Sequence, residues 1–171
     1  QPRMMSADIL TNALNLAREV RVAAQVFGSS NYGSNTAALS GSNRWDNSAG
    51  DPIGAILGVM PSIFARPNVL VMGEQVWAAF RNNPQVIRFI TGRASTALGP
   101  VPALIDQDFV AKALGLDAVI VGRAKYATQN EGATVATDFV WGKSAALIRV
   151  ERSPNPRGTN TFGATFRFGG R

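Results

Sequence analysis

The segment at residues 66–77 constrains the fold of this chain more than any other part of it. Its sequence is Arg-Pro-Asn-Val-Leu-Val-Met-Gly-Glu-Gln-Val-Trp. The proline and asparagine interrupt the element before them, and the apolar run that follows predicts a short strand. The glycine then predicts a turn directly into an amphipathic helix. The segment contains no nucleophile and no group of metal ligands. It therefore predicts a structural joint rather than an active site.

The first helix is the clearest element in the sequence. Ser6 suits the N-cap, Asp8 suits the first turn, and Gly28 suits the C-terminal end. Between them, apolar residues recur at steps of three or four, which predicts about five to six turns of amphipathic helix. We expect this stripe to pack in the core of its own domain, with a contact between subunits as the alternative. The stripe consists of Ile9, Ala13, Leu16, Val20, Ala23 and Phe27.

Shorter helices and strands follow one another through the rest of the chain. Asp51, followed by proline, and Asp106 predict the starts of two helices, and another helix is predicted near residues 73–82. Apolar runs predict strands at 118–126 and 145–150. The order of these elements indicates a mixed α and β fold.

Two less regular segments complete the chain. Residues 28–50 form a long polar connection, a kind of loop that is usually functional or held by a neighbouring element. We interpret Trp45 within it as an anchor that pins the loop to its own core. Aromatic residues alternate with polar ones at 161–168, which predicts a strand.

The composition argues against an enzyme. The chain has no histidine and no cysteine, which removes histidine-dependent triads, thiol nucleophiles and thiolate or imidazole metal sites. Gly142, before a lysine and a serine, lacks the upstream glycine of a phosphate-binding loop. Asp106 and Asp108 suit a helix start, and no further acidic ligands follow them. We therefore expect no catalytic residue, no cofactor and no metal site.

The positive charge is concentrated near the C-terminal end. The chain has a formal net charge of +6, and Glu151 is the only acidic residue at 143–171, against six basic ones. Three interpretations are open: a solvated basic edge, salt bridges between subunits, or contact with nucleic acid. The residues we consider for subunit or DNA contacts are Arg44, Trp45, Arg149, Arg152, Arg157 and Arg167.

Short motifs, none of them catalytic, follow one another along nearly the whole chain. They are Leu16-Ala17-Arg18-Glu19 with Arg21-Val22-Ala23, Leu39-Ser40-Gly41 before Trp45, Asp51-Pro52-Ile53, Arg66-Pro67-Asn68 leading to Val71-Met72-Gly73 and Trp77, Leu114-Gly115 before Val119–Gly122, and Trp141-Gly142-Lys143. Taken together and in this order, they resemble the major capsid (head) proteins of tailed bacteriophages.

The resemblance implies an α+β protein with the phage capsid shell fold (the Johnson fold), which encapsulins share. Such a fold has a long spine-type helix, a peripheral sheet and an inserted α+β axial domain. The peripheral domain is expected at 1–65 and 151–171, and the axial domain at 66–150. The family's N-terminal arm, extended loop and final peripheral strand have no counterpart here. With Gln1 first and Arg171 last, we expect a proteolytic core fragment that can be monomeric on its own.

The resemblance also implies a structural role without catalysis. A major capsid protein self-assembles through hexamers and pentamers into an icosahedral head that encloses double-stranded DNA. It is assembled in the host bacterial cytoplasm and located in the virion, and no membrane partner is expected because no apolar run approaches the ~18 residues that span a bilayer. Two alternatives remain: an encapsulin-type nanocompartment shell with protein cargo, and a basic nucleic-acid-binding domain.

Overall fold

The structure, a computed structural model, describes residues 2–92, 105–129, 132–153, 158 and 160–163. Helices and strands are both present there, which confirms the mixed α and β content. The helices are α1 Pro2–Val26, α2 Pro52–Val59, α3 Glu74–Asn82, α4 Pro84–Thr91 and α5 Gln107–Leu114. The strands are β1 Val69–Gly73, β2 Ala118–Gly122, β3 Lys125–Ala127, β4 Thr137–Phe139 and β5 Ala145–Ile148.

A three-stranded sheet lies at the centre, with the strand order β2-β1-β5. Strand β1 pairs in parallel with β2 and antiparallel with β5, so that Val69 is opposite Ala118 on one side and Ile148 on the other. All five residues of β1 are buried. A continuous apolar run of this kind is typical of a strand that is covered on both faces. Strands β3 and β4 form a separate antiparallel hairpin.

The larger core covers one face of the sheet. Because side chains alternate along a strand, Leu70 and Met72 of β1 and Val119 of β2 point to the same face. Helices α2 to α5 cover that face with their buried apolar residues. These include Ile53, Ile56, Trp77, Phe80, Val86, Ile87, Val110, Ala111 and Leu114.

The smaller core covers the opposite face. Val69 and Val71 of β1 pack there with Ala23 and Val26, which lie in the last turns of α1. Trp141, in the turn before β5, completes this cluster. The sheet is therefore the middle layer between a four-helix layer and the C-terminal part of α1.

The expectation that the α1 stripe packs in the core is wrong for most of the helix. Within the stripe, Ile9 is 67% and Val20 40% exposed, whereas Ala23, near the C-terminal end, is buried together with the adjacent Val26. The reason is geometric. A helix of 25 residues is about 37 Å long, whereas three strands at about 4.8 Å spacing make a narrow sheet. Only the C-terminal turns of α1 lie over it.

The predicted helix boundaries agree with the structure where capping signals exist. The Asp51 carboxylate accepts a hydrogen bond from the Gly54 amide at 2.9 Å, and Asp106 caps α5 through the Gln107 amide at 2.7 Å. Gly115 ends α5 with φ at +67°, a conformation that favours glycine. The first helix begins at Pro2 rather than at Ser6.

The strand predictions are confirmed with shorter limits. The segment predicted at 118–126 forms β2, which ends at Gly122, and the separate strand β3 follows it. The segment predicted at 145–150 ends at Ile148. Most of the predicted strand at 161–168 lies outside the described residues. The expected division into peripheral and axial domains stays a prediction, and α2 shares the larger core with residues from 70 onward.

Candidate functional site

A cleft of about 400 Å³ lies at one end of the central sheet. The chain enters β1 and β2 at this end and leaves β5 there, because β2 is parallel to β1 and β5 is antiparallel to it. Polar residues that flank the strands are therefore brought together although they are far apart in sequence. The lining residues are Arg66, Pro67, Asn68, Gly115, Asp117, Arg149, Val150, Glu151 and Arg152.

Asn68 holds the floor of the cleft together. Its side-chain amide donates to the Asp117 carboxylate at 2.8 Å and to the Val150 carbonyl at 2.9 Å, and its carbonyl oxygen accepts from the Val150 amide at 2.8 Å. Its backbone carbonyl also accepts from the Asp117 amide at 2.7 Å. These bonds fix the segments that precede β1 and β2 against the segment that follows β5.

Three arginines give the cleft its charge. Arg149 donates to the Arg66 carbonyl at 3.2 Å and forms an ion pair of 3.5 Å with Glu151. A terminal guanidinium nitrogen of Arg66 lies beside Gly115, at the C-terminal end of α5, where the helix dipole favours a positive charge. Arg66 and Arg152 form no ion pair with any described carboxylate.

The three arginines make this cleft suited to binding an anion. Arginine stays protonated and presents a planar fork of donors, so it binds carboxylates and phosphates but does not transfer protons at neutral pH. Over the described part of the chain, no group of three or more His, Cys, Asp or Glu residues could hold a metal ion. None of the described helices is long and apolar enough to span a bilayer.

The structure separates the six residues considered for contacts. Arg149 and Arg152 line the cleft together. Arg44 instead forms a two-bond ion pair with Asp46, at 2.6 and 3.0 Å, on the surface of the long 28–50 connection. Arg157 and Arg167 lie outside the described residues.

Trp45 belongs to a second recess of about 450 Å³, which lies between the 28–50 connection and the ends of α3 and α4. Its ring packs edge-on against Phe80, with 5.8 Å between ring centroids, so it anchors the loop to its own core as interpreted. The buried Asn83 side chain secures the same loop by donating to the carbonyls of Trp45, Asn47 and Gly50 at 3.0, 3.1 and 3.2 Å. The Trp45 indole nitrogen is buried and has no partner among the described residues.

The sequence prediction missed three residues of the cleft: Arg66, Asn68 and Asp117. Arg66 and Asn68 were interpreted only as part of a joint. A usable signal was present, because residues that precede two parallel strands lie at the same end of a sheet. Using it requires knowing that β1 and β2 are parallel neighbours, and the strand patterns alone do not establish that pairing.

Comparison with known proteins gives a consistent result. The chain is 30% identical over 162 residues to the major capsid protein of Pseudomonas phage JBD67, covering 94% of this chain and 51% of that protein. It is 26% identical over 145 residues to the major capsid protein of Burkholderia phage BcepMu, covering 82% and 44%. The chain thus spans about half the length of these relatives. No protein-family model matches it.

The fold has a solved counterpart. The chain superposes on the crystal structure of a phage-related protein from Bordetella bronchiseptica RB50 with a TM-score of 0.70 and 23% sequence identity. The match covers 89% of this chain and 47% of that protein. The two proteins share this fold over most of the present chain.

Proposed function

Since this chain is a sequence relative of phage major capsid proteins along nearly its whole length, we propose that it is part of the structural subunit of a phage head. Copies of that subunit self-assemble into an icosahedral shell around double-stranded DNA. The observation that carries the proposal is the 30% identity over 162 residues, which covers 94% of the chain. The alternative of an enzyme has no support, because both relatives are named major capsid proteins.

The structure supports a building role through its surfaces. A shell subunit needs a rigid core and several modest contacts, which symmetry multiplies into a stable assembly. The two cores on either side of the sheet supply the rigidity. The arginine cleft and the exposed apolar residues of α1 supply surfaces suited to contact.

We further propose the domain arrangement of the capsid shell fold. The peripheral domain comprises 1–65 and 151–171, and the axial domain comprises 66–150. Axial domains meet in pentamers and hexamers, and the assembled subunit is located in the virion after assembly in the host cytoplasm. The central sheet supports the axial assignment, because β1, β2 and β5 all lie within 66–150.

Electron microscopy of the complete gene product that contains this chain tests the proposal. We expect closed shells of uniform size in negative stain after expression in bacteria. Nuclease-resistant DNA inside particles from infected cells would identify a phage head, whereas a protein cargo would identify an encapsulin-type compartment. A product that stays monomeric at high concentration, and binds DNA with a steep dependence on salt, would contradict the proposal in favour of a nucleic-acid-binding domain.

A further inference from the structure

Opposite charges lie near the two ends of helix α5. Asp108 lies in its first turn, and the arginine cleft begins beyond its last turn, at Gly115. We propose that Asp108 of one copy binds the arginine cleft of a second copy, head to tail, between Arg66 and Arg152. This inference rests on the proposed function and specifies one subunit contact within it.

The cleft has unused capacity for a negative charge. Among the described residues, Arg149 is the only one of the three arginines with a carboxylate partner, Glu151 at 3.5 Å. The other carboxylate of the lining, Asp117, already accepts from the Asn68 amide at 2.8 Å. Arg66 and Arg152 are both exposed and form no ion pair with the described residues. An external carboxylate between them completes the pairing.

The mixed lining favours a single carboxylate over a nucleic-acid backbone. A phosphate chain is a row of charges, so a strand seated on Arg66 and Arg152 brings further phosphates toward Glu151 and Asp117, which repel them. A side-chain carboxylate is one localised charge and avoids this repulsion. It also suits the bidentate geometry that arginine offers, and a recess of about 400 Å³ accommodates side chains rather than a duplex.

Asp108 is a suitable carboxylate on the same chain. It is exposed, and it makes no hydrogen bond or ion pair with the described part of the protein. The next residue, Phe109, has a side chain that is 50% exposed, and it can bury apolar surface beside the ion pair. The helix dipole already favours a negative charge at this position.

Asp108 and the arginine cleft lie at opposite ends of α5, and this placement determines the kind of assembly that their contact forms. A helix of eight residues is about 12 Å long, so one copy offers its carboxylate at one end while its cleft accepts at the other. Contacts of this head-to-tail type repeat from copy to copy and generate rings when the rotation closes. The pentamers and hexamers of the proposed shell are rings of that kind.

Charge reversal tests the pair. Like charges disfavour association across an interface, so we expect Asp108→Arg and Arg152→Asp each to raise the protein concentration needed for shell formation roughly tenfold. The variant that carries both substitutions pairs the two charges in exchanged positions and should recover part of the lost assembly, because the unchanged Arg66 still repels the new arginine. Asp138→Arg is the matched control, because Asp138 is an exposed carboxylate of β4, outside the cleft and away from α1, with no ion pair among the described residues. The assembly of every variant is measured in the complete gene product.

Cross-linking tests the head-to-tail geometry. The chain has no cysteine, so Gln107→Cys and Ser153→Cys, next to the proposed pair, introduce the only thiols in this segment and leave Asp108 and Arg152 in place. A flexible bis-maleimide linker is preferable to a disulfide, which needs Cα atoms within about 7 Å. We expect a ladder of covalent oligomers from the doubly substituted protein, and only dimers from a mixture of the two single variants.

The outcomes separate this inference from the proposed function. If the unsubstituted protein forms shells and the charge-reversed variants form them equally well, the Asp108 contact is wrong and the capsid role stands. A doubly cysteine-substituted protein whose cross-links stop at dimers also overturns the head-to-tail contact. If Arg152→Asp lowers DNA retention and leaves assembly unchanged, the cleft binds nucleic acid instead. If the unsubstituted protein does not assemble at all, both proposals fail.

Discussion

Asn68 is the residue on which the geometry of the cleft depends. Its side chain uses both amide donors and its carbonyl acceptor, on partners 49 and 82 residues further along the chain. A hydrophobic side chain of similar size cannot replace these bonds, because the Asp117 carboxylate and the two polar groups of Val150 would lose their partner. Asn68 thus ties the segment that carries Arg66 to the segment that carries Arg149 and Arg152.

Replacing Asn68 by alanine should lower the free energy of unfolding by about 1–3 kcal/mol, since three hydrogen bonds are lost, each with a net contribution of about 0.5–1.5 kcal/mol. Asn43→Ala is the control, because Asn43 is exposed and its side chain makes no hydrogen bond with the described residues. Urea denaturation followed by tryptophan fluorescence measures both. Equal stability of the two variants would show that Asn68 does not hold the cleft together.

Tyr32 gives the structure a measurable dependence on pH. Its hydroxyl donates to the Val26 carbonyl, its ring stacks on Phe162 at 5.6 Å, and burial raises its pKa above the usual 10.0. A raised pKa means that the folded state holds this proton more tightly than the unfolded state. The contribution of Tyr32 to the free energy of unfolding is therefore fully present below pH 10, and it is lost as the pH rises through the raised pKa.

Ultraviolet absorbance titration tests this directly. The chain has two tyrosines, so Tyr126→Phe leaves Tyr32 as the only phenol in this segment. We expect Tyr32 to ionise above pH 10, whereas Tyr126, observed alone in Tyr32→Phe, serves as the comparison. Ionisation of Tyr32 at or below pH 10 would be inconsistent with its half-buried position.

At the scale of elements, α1 differs most from its sequence pattern. Its periodicity predicts correctly that it is an amphipathic helix, but periodicity does not identify what covers the apolar face. The structure attaches α1 mainly through its last turns. Trp141 provides much of this attachment, because its indole nitrogen donates to the Glu19 carboxylate at 2.6 Å and its ring packs edge-on against Phe27 at 5.7 Å.

The position of Trp141 depends on a glycine beneath it. A Cβ added at Gly122 would lie 2.0 Å from the Trp141 ring, so Gly122→Ala must displace the indole. We expect a loss of about 1–3 kcal/mol in unfolding free energy, the usual cost of overpacking a core. Hydrogen exchange should also become faster in the C-terminal turns of α1, because Trp141 loses its contacts with Glu19 and Phe27.

Gly58→Ala is the matched control for this substitution. Gly58 lies within α2 and has no atom within 4 Å of the added Cβ, so alanine there should stabilise the protein by about 0.5–1 kcal/mol. If Gly122→Ala raises the free energy of unfolding as Gly58→Ala does, the position of Trp141 does not depend on a glycine at 122.

At the scale of the whole molecule, local signals explain how much the sequence could predict. Asp51, Asp106 and Gly115 carry chemistry that acts on adjacent backbone groups, so the helix ends they predict are confirmed. For the cleft, the sequence indicates Arg149 and Arg152 as candidate contact residues but does not indicate Asn68 or Asp117. Their meeting depends on a parallel pairing between distant strands, which no local pattern encodes.

The position of β1 between β2 and β5 affects when the central sheet can form during synthesis. Its partners follow it by 49 residues on one side and by more than 70 on the other, so the middle strand is made long before the strands that flank it. Contacts of such long range form slowly. Until β5 leaves the ribosome, one edge of β1 stays unpaired, and the cleft lacks two of its three arginines. A nascent chain therefore has no complete cleft until its own fold has closed.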